Sequence, residues 1–304
     1  MTENTVQNPF QQFIIAHGDD KDKIQERYET HRTTRAADFK SKILNPNFQG
    51  WQVDEILKKL HVQAKNADGS PFVDSRNNLA FYARPPQHIR ELAGEVQQEI
   101  RSIAPSMWFT PSAGLHMTTL ELANSRSPEE IDEIVSRLSQ TGALPDIVNY
   151  TLHHRARLIK PVVSYDASAI ALSFVPATDE EGDDYTYHHL RRDLFDEVTA
   201  AGIPIHPRYT VPSSHIALAR FITHDGFLLD KPNPDGSSFD RERVNELIQR
   251  IEEINQNLKE KYWPKQDGSS KGDWVVGHEK GFEFCKGTSW YGGGECVLVG
   301  EGFQ

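Results

Sequence analysis

The chain has 304 residues, of which 37% are hydrophobic and 25% carry a charge, values typical of a folded globular protein. It holds 33 lysines and arginines against 44 aspartates and glutamates, a net charge of −11. This balance opposes extended binding along a nucleic-acid backbone, which depends on several basic contacts to phosphates. A small anionic ligand, or a nucleic-acid end held in a local pocket, remains compatible with it.

No apolar run reaches the roughly 18–20 residues that a membrane span requires, and the first residues lack the pattern of a signal peptide. We therefore expect a cytoplasmic or nuclear protein with no membrane partner. Cys285 and Cys296 lie near the C-terminus, where neighbouring strands could bring them together. Because a reducing compartment disfavours disulfides, we expect two free thiols. The sequence leaves the oligomeric state open.

Residues 1–74 are predicted to form an N-terminal helical extension. A charged stretch at 19–44 and an amphipathic one at 51–65 indicate helices, and the turn signal NADGSP follows them. No pattern in this extension indicates chemistry. Its charged helices fit a solvated cap and a surface for a partner equally well.

Residues 75–304 repeat one order of elements: a strand, a helix, a strand that contains a histidine, and another helix. The C-terminal tail alternates apolar and polar residues between glycine turns, which predicts two or three antiparallel strands. The order predicts an α+β protein with two lobes, in which two largely antiparallel sheets face a central cleft and helices lie outside. The segments behind this prediction are NLAFYARPP, SRSPEEIDEIVSRLSQ, VVSYDASAIALSFVPA, YTYHHLRRDLFDEVTAAG and DRERVNELIQRIEEINQNLKEKYW.

Two segments read alike: GLHMTTLEL at 114–122 and SSHIALARF at 213–221. The first belongs to a predicted strand that runs from MWFTPSAG at 107–114 into LHMTTLEL at 115–122. Side chains two residues apart share a face of a strand, so His116 and Thr118 should project together. By the same rule Ser213, His215 and Ala217 share one face, and Arg220 should point away from it.

Two histidines from separate lobes suit acid/base chemistry. Near a pKa of about 6.5, one imidazole can accept a proton while the other, protonated, donates one to a leaving oxygen. Phosphodiester cleavage needs both transfers, and hydroxyls or amides can stabilise the charge that develops on the phosphate oxygens.

HMTT at 116–119 and HIAL at 215–218 resemble the paired His-x-Thr/Ser-x motifs of the 2H phosphoesterase superfamily, the RNA-ligase and cyclic-phosphodiesterase-like proteins. The likeness covers roughly residues 75–300 in element order. It implies a bilobal fold, a site between the lobes that uses no metal or cofactor, and hydrolysis or ligation of nucleoside 2′,3′-cyclic phosphates or related RNA-end esters. The partner would be a nucleotide or an RNA end.

The resemblance assigns roles to single residues. His116 and His215 match the catalytic pair, and Thr118 matches the first phosphate-binding hydroxyl. Ala217 stands where the second hydroxyl is expected, and the loss of one such donor costs on the order of 10²–10³ in rate. Ser213 is our candidate to replace it.

Tyr82 and Trp290 are candidates for a wall on which a base could stack, although core packing explains either residue equally well. Metal binding is not predicted, because His153–His154 and His188–His189 complete no ligand set. A different class of function also stays open: a nucleotide- or RNA-end-binding protein in which Ala217 has weakened catalysis.

Overall fold

The structure contains helices and strands where the sequence predicts them. This computed structural model describes residues 7–205, 208–231, 238–266 and 268–303. The helices in these ranges are α1 (Pro9–Ala16), α2 (Lys21–Ile43), α3 (Glu55–His61), α4 (Gln87–Ile103), α5 (Pro128–Gln140), α6 (Leu144–Val148), α7 (Tyr187–Ala200) and α8 (Arg241–Tyr262). The strands are β1 (Asn77–Ala83), β2 (Trp108–Phe109), β3 (Met117–Arg126), β4 (Arg157–Tyr165), β5 (Ala169–Pro176), β6 (Ser214–Arg220), β7 (Trp274–Val275), β8 (Lys280–Gly287) and β9 (Glu295–Glu301).

The strands form two antiparallel sheets. The first has the order β3-β1-β8-β9 and the second the order β2-β6-β5-β4-β7. The predicted α+β class with two sheets is therefore confirmed. The sheets approach each other where β3 packs against β6, so the two histidine segments belong to different sheets and meet at this junction.

One strand prediction is wrong in its extent. The sequence suggests one continuous strand from residue 107 to 122, but a 3₁₀ turn at Ser112–Gly114 divides it. The first part is β2, which pairs with β6 of the second sheet, whereas β3 pairs with β1 of the first. The chain therefore crosses from one sheet to the other just before His116.

Helices pack against both sheets. On α8, the side chain of Asn255 bonds the N–H and the carbonyl of Val163 at 2.6 and 2.9 Å, which fixes this helix against β4. The helix α2 packs against β4 and β5 of the same sheet. The predicted signals at helix ends are present: α5 begins with a capping box at Ser127, and Gly202 follows α7 with a φ of 78°.

The N-terminal helices share the core of the sheets. Phe10, Ile24, Tyr28 and Trp51 are all almost fully buried and belong to the same apolar cluster as the strand residues. Helical structure in this segment agrees with the prediction. The division of the chain at residue 74 stays a prediction.

The two cysteines correct one expectation. Cys285 on β8 lies directly opposite Cys296 on β9, with their Cα atoms 4.1 Å apart, and the two form a disulfide. The prediction of free thiols is wrong because antiparallel register brings the two side chains together, which the spacing in sequence cannot establish.

Among the helices in the described ranges, we find none that combines the length and the apolar character needed to cross a bilayer.

Candidate active site

His116 lies at the end of the loop that connects the two sheets, immediately before β3. Its Nδ1 atom is 2.8 Å from the carbonyl oxygen of Gly114. Because a carbonyl can only accept, Nδ1 must carry the hydrogen. In the neutral ring Nε2 therefore keeps its lone pair. The ring packs on Tyr82 with a centroid distance of 4.3 Å.

Two glycines allow the loop before His116 to pack tightly. A Cβ atom on Gly292 would lie 2.6 Å from the Cα of Gly114, and one on Gly114 would lie 3.3 Å from the Cα of Gly292. Gly292 also has a φ of 88°, which favours glycine. A side chain at either position would push this loop, and His116 with it, out of place.

Arg84 holds the same loop from the first sheet. Its Nη1 atom donates to the carbonyls of Ala113 and Leu115 at 3.2 and 3.1 Å, and its Nε donates to Glu283 at 2.6 Å. Glu283 is buried, so the pair is largely shielded from solvent. These bonds make Arg84 a positioning residue for His116, and no motif in the sequence indicates this role.

Tyr82 does not have the environment of a base-stacking wall. Only 2% of its surface is exposed, and its hydroxyl lies 2.6 Å from the Ser289 hydroxyl and 3.1 Å from the Asn78 amide nitrogen. One side of the ring faces His116. The arrangement corrects the predicted stacking role: Tyr82 supports the imidazole instead.

Trp290 lies between two arginines at the edge of the first sheet. The guanidinium groups of Arg76 and Arg208 lie over its ring at 5.4 and 4.9 Å, and its indole N–H donates to the Arg76 carbonyl at 3.1 Å. Arg208 also makes two 2.7 Å bonds to the buried carboxylate of Glu121 on β3. A base that stacks on Trp290 would have to share the indole ring with the two guanidinium groups. Stacking of a base on Trp290 stays a prediction.

His215 is the exposed second residue of β6. Its Nδ1 atom lies 3.0 Å from the hydroxyl oxygen of Ser213, and either group could be the donor. In β5 the partner of His215 is Ser173, which is buried. Ser213 therefore lies beside His215, where the shared-face prediction places it.

Arg220 lies on the His215 side of β6, contrary to the sequence prediction. The pairing of β5 with β6 shifts by one residue beyond Ala217, and Leu218 and Ala219 are both fully buried. Such a bulge reverses the alternation of side chains that follow it. Arg220 accordingly contacts Asp54 at 3.7 Å and lies over the Tyr291 ring at 5.6 Å.

Desolvation is the main influence on His116 and lowers its pKa to about 4. The bond to Gly114 and the charge of Glu283 oppose this shift, whereas the charges of Arg84 and His215 add to it. At neutral pH the free His116 ring is therefore a neutral base. His116 immediately precedes β3, and β3 packs against β6, the strand that carries His215.

The pKa of His215 is lowered too, and desolvation is again the largest cause. Asp166 opposes the shift, while Arg191, Arg220 and Arg35 add to it. The ring is also open to solvent on β6, and water limits the size of the shift. The largest electrostatic influence on the His215 pKa is thus the negative charge of Asp166, which the charges of three arginines oppose.

Thr118 and Ala217 occupy the two motif positions expected to bind phosphate. Thr118 is partly exposed, and within the described ranges its hydroxyl has no hydrogen-bond partner, so it is free to bind a ligand. Ala217 is partly exposed as well, and its carbonyl accepts the Thr110 hydroxyl at 2.8 Å. Phosphate binding by Thr118 stays a prediction.

Arg191 on α7 links the segments that lead to both histidines. Its guanidinium donates to the carbonyls of Thr119 on β3 and of Tyr209 and Val211 before β6. The residue is only 3% exposed, so these bonds are shielded from solvent. Sequence reasoning missed Arg191, because no motif indicates a buried arginine that binds backbone.

The described residues contain one group with the ligand atoms for a metal ion: Glu283, Cys285 and Cys296, within 4.8 Å of one another. Both sulfurs are joined in the disulfide, which leaves only the carboxylate as a ligand. His188 bonds the Tyr28 hydroxyl at 2.9 Å and His189 bonds Asp19 at 2.7 Å, so this pair has the packing role expected from the sequence.

Ser213 provides a direct test of the site. In Ser213→Ala the imidazole of His215 loses its Nδ1 partner, and we expect kcat to fall by on the order of 10²-fold. Steady-state kinetics of the wild type, Ser213→Ala and Ser213→Thr measure this, and the threonine variant should recover most of the rate. Unchanged kcat and KM in Ser213→Ala would exclude a role for this hydroxyl.

No protein-family model matches the chain, and no curated protein matches it significantly. Among solved structures it is similar to ATU0111, a conserved protein of unknown function from Agrobacterium tumefaciens, with a TM-score of 0.48 and 16% identity over 77% of this chain and 89% of that one. It is also similar to Usb1 from Kluyveromyces marxianus with uridine monophosphate (TM-score 0.35, 12% identity, 74% and 96% covered) and to a second Usb1 structure (0.34, 13%, 75% and 98%). These likenesses are too distant to support an argument about function.

Proposed function

We propose that this protein is a metal-independent phosphoesterase that opens a nucleoside 2′,3′-cyclic phosphate or a related RNA-end phosphodiester. One observation carries the proposal. The segments that carry the two histidines come from different sheets and meet where β3 packs against β6, and each ring has its Nδ1 atom engaged by a neighbour within its own segment, Gly114 for His116 and Ser213 for His215. In the proposed mechanism the Nε2 atom of each ring faces the ligand.

The bonds of the two rings suggest separate roles. His116 donates from Nδ1 to a carbonyl, so its Nε2 can take a proton from water. The water oxygen then bonds to phosphorus as the bond from phosphorus to the 2′- or 3′-oxygen breaks. His215, in its protonated form, gives its Nε2 proton to that leaving oxygen. The product is a linear monophosphate, and the reverse proton transfers between water and the histidines restore the site.

Charge on the phosphate would be stabilised by groups already present. The free Thr118 hydroxyl can donate to one nonbridging oxygen, and Arg220, on the His215 side of β6, supplies a positive charge that favours an anion. A bound anionic phosphate also raises the pKa of a nearby imidazole. Substrate binding would thus favour the protonated form of His215 that the reaction needs.

The pKa shifts predict the pH dependence of catalysis. The base must be neutral, so kcat/KM should fall below the His116 pKa of about 4. The acid must be protonated, and its lowered pKa means that kcat/KM should already decline as the pH rises towards neutrality. The kcat profile should extend to higher pH, because bound phosphate raises the acid's pKa.

The test is a pH series of kcat and kcat/KM, measured with EDTA present throughout. We expect activity in EDTA, with kcat/KM higher near pH 5 than at pH 7. Activity that EDTA abolishes and zinc or manganese restores would contradict the mechanism.

A nucleotide- or RNA-end-binding protein is the second candidate, favoured by the missing hydroxyl at Ala217. A thermal-shift series with nucleoside 2′- and 3′-monophosphates, run beside the turnover assay, separates the two functions. Stabilisation without turnover of any cyclic phosphate or RNA end would favour binding alone.

A further inference from the structure

We propose that three basic residues on α2, namely Arg27, His31 and Arg35, bind the phosphates of an RNA chain adjacent to the terminus that reacts at the two histidines. We call these residues the α2 basic row. The inference rests on the proposed function and narrows its substrate class to single-stranded RNA ends in preference to free mononucleotides.

The three side chains form one continuous basic surface. They are four residues apart, and residues at this spacing lie on the same side of a helix. The row is about 12 Å long, since a helix rises 1.5 Å per residue. Desolvation lowers the His31 pKa, and Arg35 and Arg27 add to this shift, so at neutral pH the row consists of two charged arginines with a neutral imidazole donor between them.

Contacts of α2 place the row over the middle of β5. Near the start of the helix, the Gln25 amide donates to the carbonyl of Pro176 at the end of β5, at 2.7 Å. Further along, Arg35 lies 3.8 Å from Asp166, which precedes the start of β5. His31 is between these two anchor points in the helix.

The middle of β5 is paired with the part of β6 that carries the candidate site. Ser173 pairs with His215, and Ala169 pairs with Arg220. Because Arg35 lies near Asp166 before β5 and Gln25 contacts Pro176 at its end, the row follows the strand that pairs with the His215 strand. A chain whose terminus lies at the histidines could extend along it.

The charges of the row are available to a ligand. Arg27 is exposed, and its side chain has no ion pair or hydrogen bond in the part of the chain that the structure describes. Arg35 is half exposed, and its 3.8 Å contact with Asp166 is longer than a hydrogen bond. Such groups can exchange water for phosphate without breaking a strong internal bond.

The two flanks of α2 differ in charge. A groove of about 470 Å³ on the flank away from the row is lined by Asp22, Glu26 and Glu29, with Lys160 and Trp263 opposite. Acidic side chains are thus collected on that flank and basic ones beside His215. In a protein of net charge −11, this separation directs an anion to the histidine side.

The test compares two double variants on two substrates in EDTA. Arg27→Gln/Arg35→Gln removes two charges from the row. Arg243→Gln/Arg250→Gln removes two exposed charges from α8, a helix that carries no residue of the candidate site, and is the control. The substrates are a nucleoside 2′,3′-cyclic phosphate and a short RNA that ends in the same nucleotide. Each variant is measured at its own pH optimum, because the removal of Arg35 also reduces the lowering of the His215 pKa.

We expect the row variant to raise KM for the RNA by about tenfold more than it raises KM for the mononucleotide, while the control variant stays near wild type on both substrates. Fluorescence anisotropy with a labelled RNA ending in a 3′-phosphate gives an independent readout. The slope of log Kd against log salt should decrease by about 1.4 in the row variant, roughly 0.7 for each phosphate that the variant no longer binds.

Equal losses on both substrates, or in both double variants, would overturn the inference. If the wild type cleaves neither substrate, the proposed function fails. The anisotropy series still tests whether the α2 basic row binds RNA. An unchanged salt slope would then reject it, and a reduced slope would support RNA binding by this helix.

Discussion

His116→Ala and His215→Ala should each reduce kcat/KM on a nucleoside 2′,3′-cyclic phosphate by 10²- to 10⁴-fold. Each variant removes one of the two proton transfers, and positioned acid/base groups contribute about this much. Steady-state assays in EDTA measure the loss. Because both rings lie at the surface of the β3–β6 junction, the variants should remain folded, which thermal unfolding checks.

His153→Ala is the matched control for this experiment. His153 is exposed and lies away from both histidine segments, so its removal should leave kcat/KM unchanged. The double variant of His116 and His215 should be little worse than either single variant, because the two groups act in one step. A single histidine variant that keeps more than about a tenth of the wild-type rate would contradict the assigned roles.

Gly292→Ala should impair both stability and catalysis. The new Cβ would lie 2.6 Å from the Cα of Gly114, and the φ of 88° is unfavourable for alanine. We expect a loss of about 1–3 kcal/mol in the free energy of unfolding. Because Gly114 holds the Nδ1 atom of His116, we also expect kcat/KM to fall by about 10²-fold, as displacements of about 1 Å can do.

Alanine variants of two other glycines distinguish the effect of backbone strain from the effect of displacing His116. Gly142 has a φ of 76°, and an added methyl group would have no atom within 4 Å, so Gly142→Ala should lower stability without changing kcat/KM. On Gly293, next in sequence to Gly292, an added Cβ would lie 3.2 Å from the carbonyl oxygen of Thr288, and its φ is not positive, so alanine should be tolerated better there. If Gly142→Ala and Gly292→Ala gave the same loss of activity, the contact between Gly114 and Gly292 would not position His116.

The pattern of the sequence predicts most of the fold because its signals are local. Alternation of apolar residues, the Ser127 capping box and the position of Gly202 each act within a few residues. The same local rule places His116 with Thr118, and Ser213 with His215. Bulges break this rule, and the one at Leu218 and Ala219 is why the direction of Arg220 could not be predicted.

The supporting residues of the site depend on contacts between distant parts of the chain. Arg84 and Arg191 bind carbonyls that lie far from them in sequence, and such bonds leave no residue pattern. The burial of Tyr82 likewise depends on Ser289 from the C-terminal segment. The disulfide and the position of Arg35 beside His215 follow from strand register and helix packing, which spacing alone does not establish.

The most direct measurement is turnover of the four nucleoside 2′,3′-cyclic phosphates, and of a short RNA ending in one, by the purified protein in EDTA, with products separated by chromatography. The two-histidine account predicts that at least one substrate is opened to a linear monophosphate, and that this product is missing with His116→Ala and His215→Ala. No product from any of these substrates with the wild type, under conditions where the protein binds nucleoside monophosphates, would contradict it.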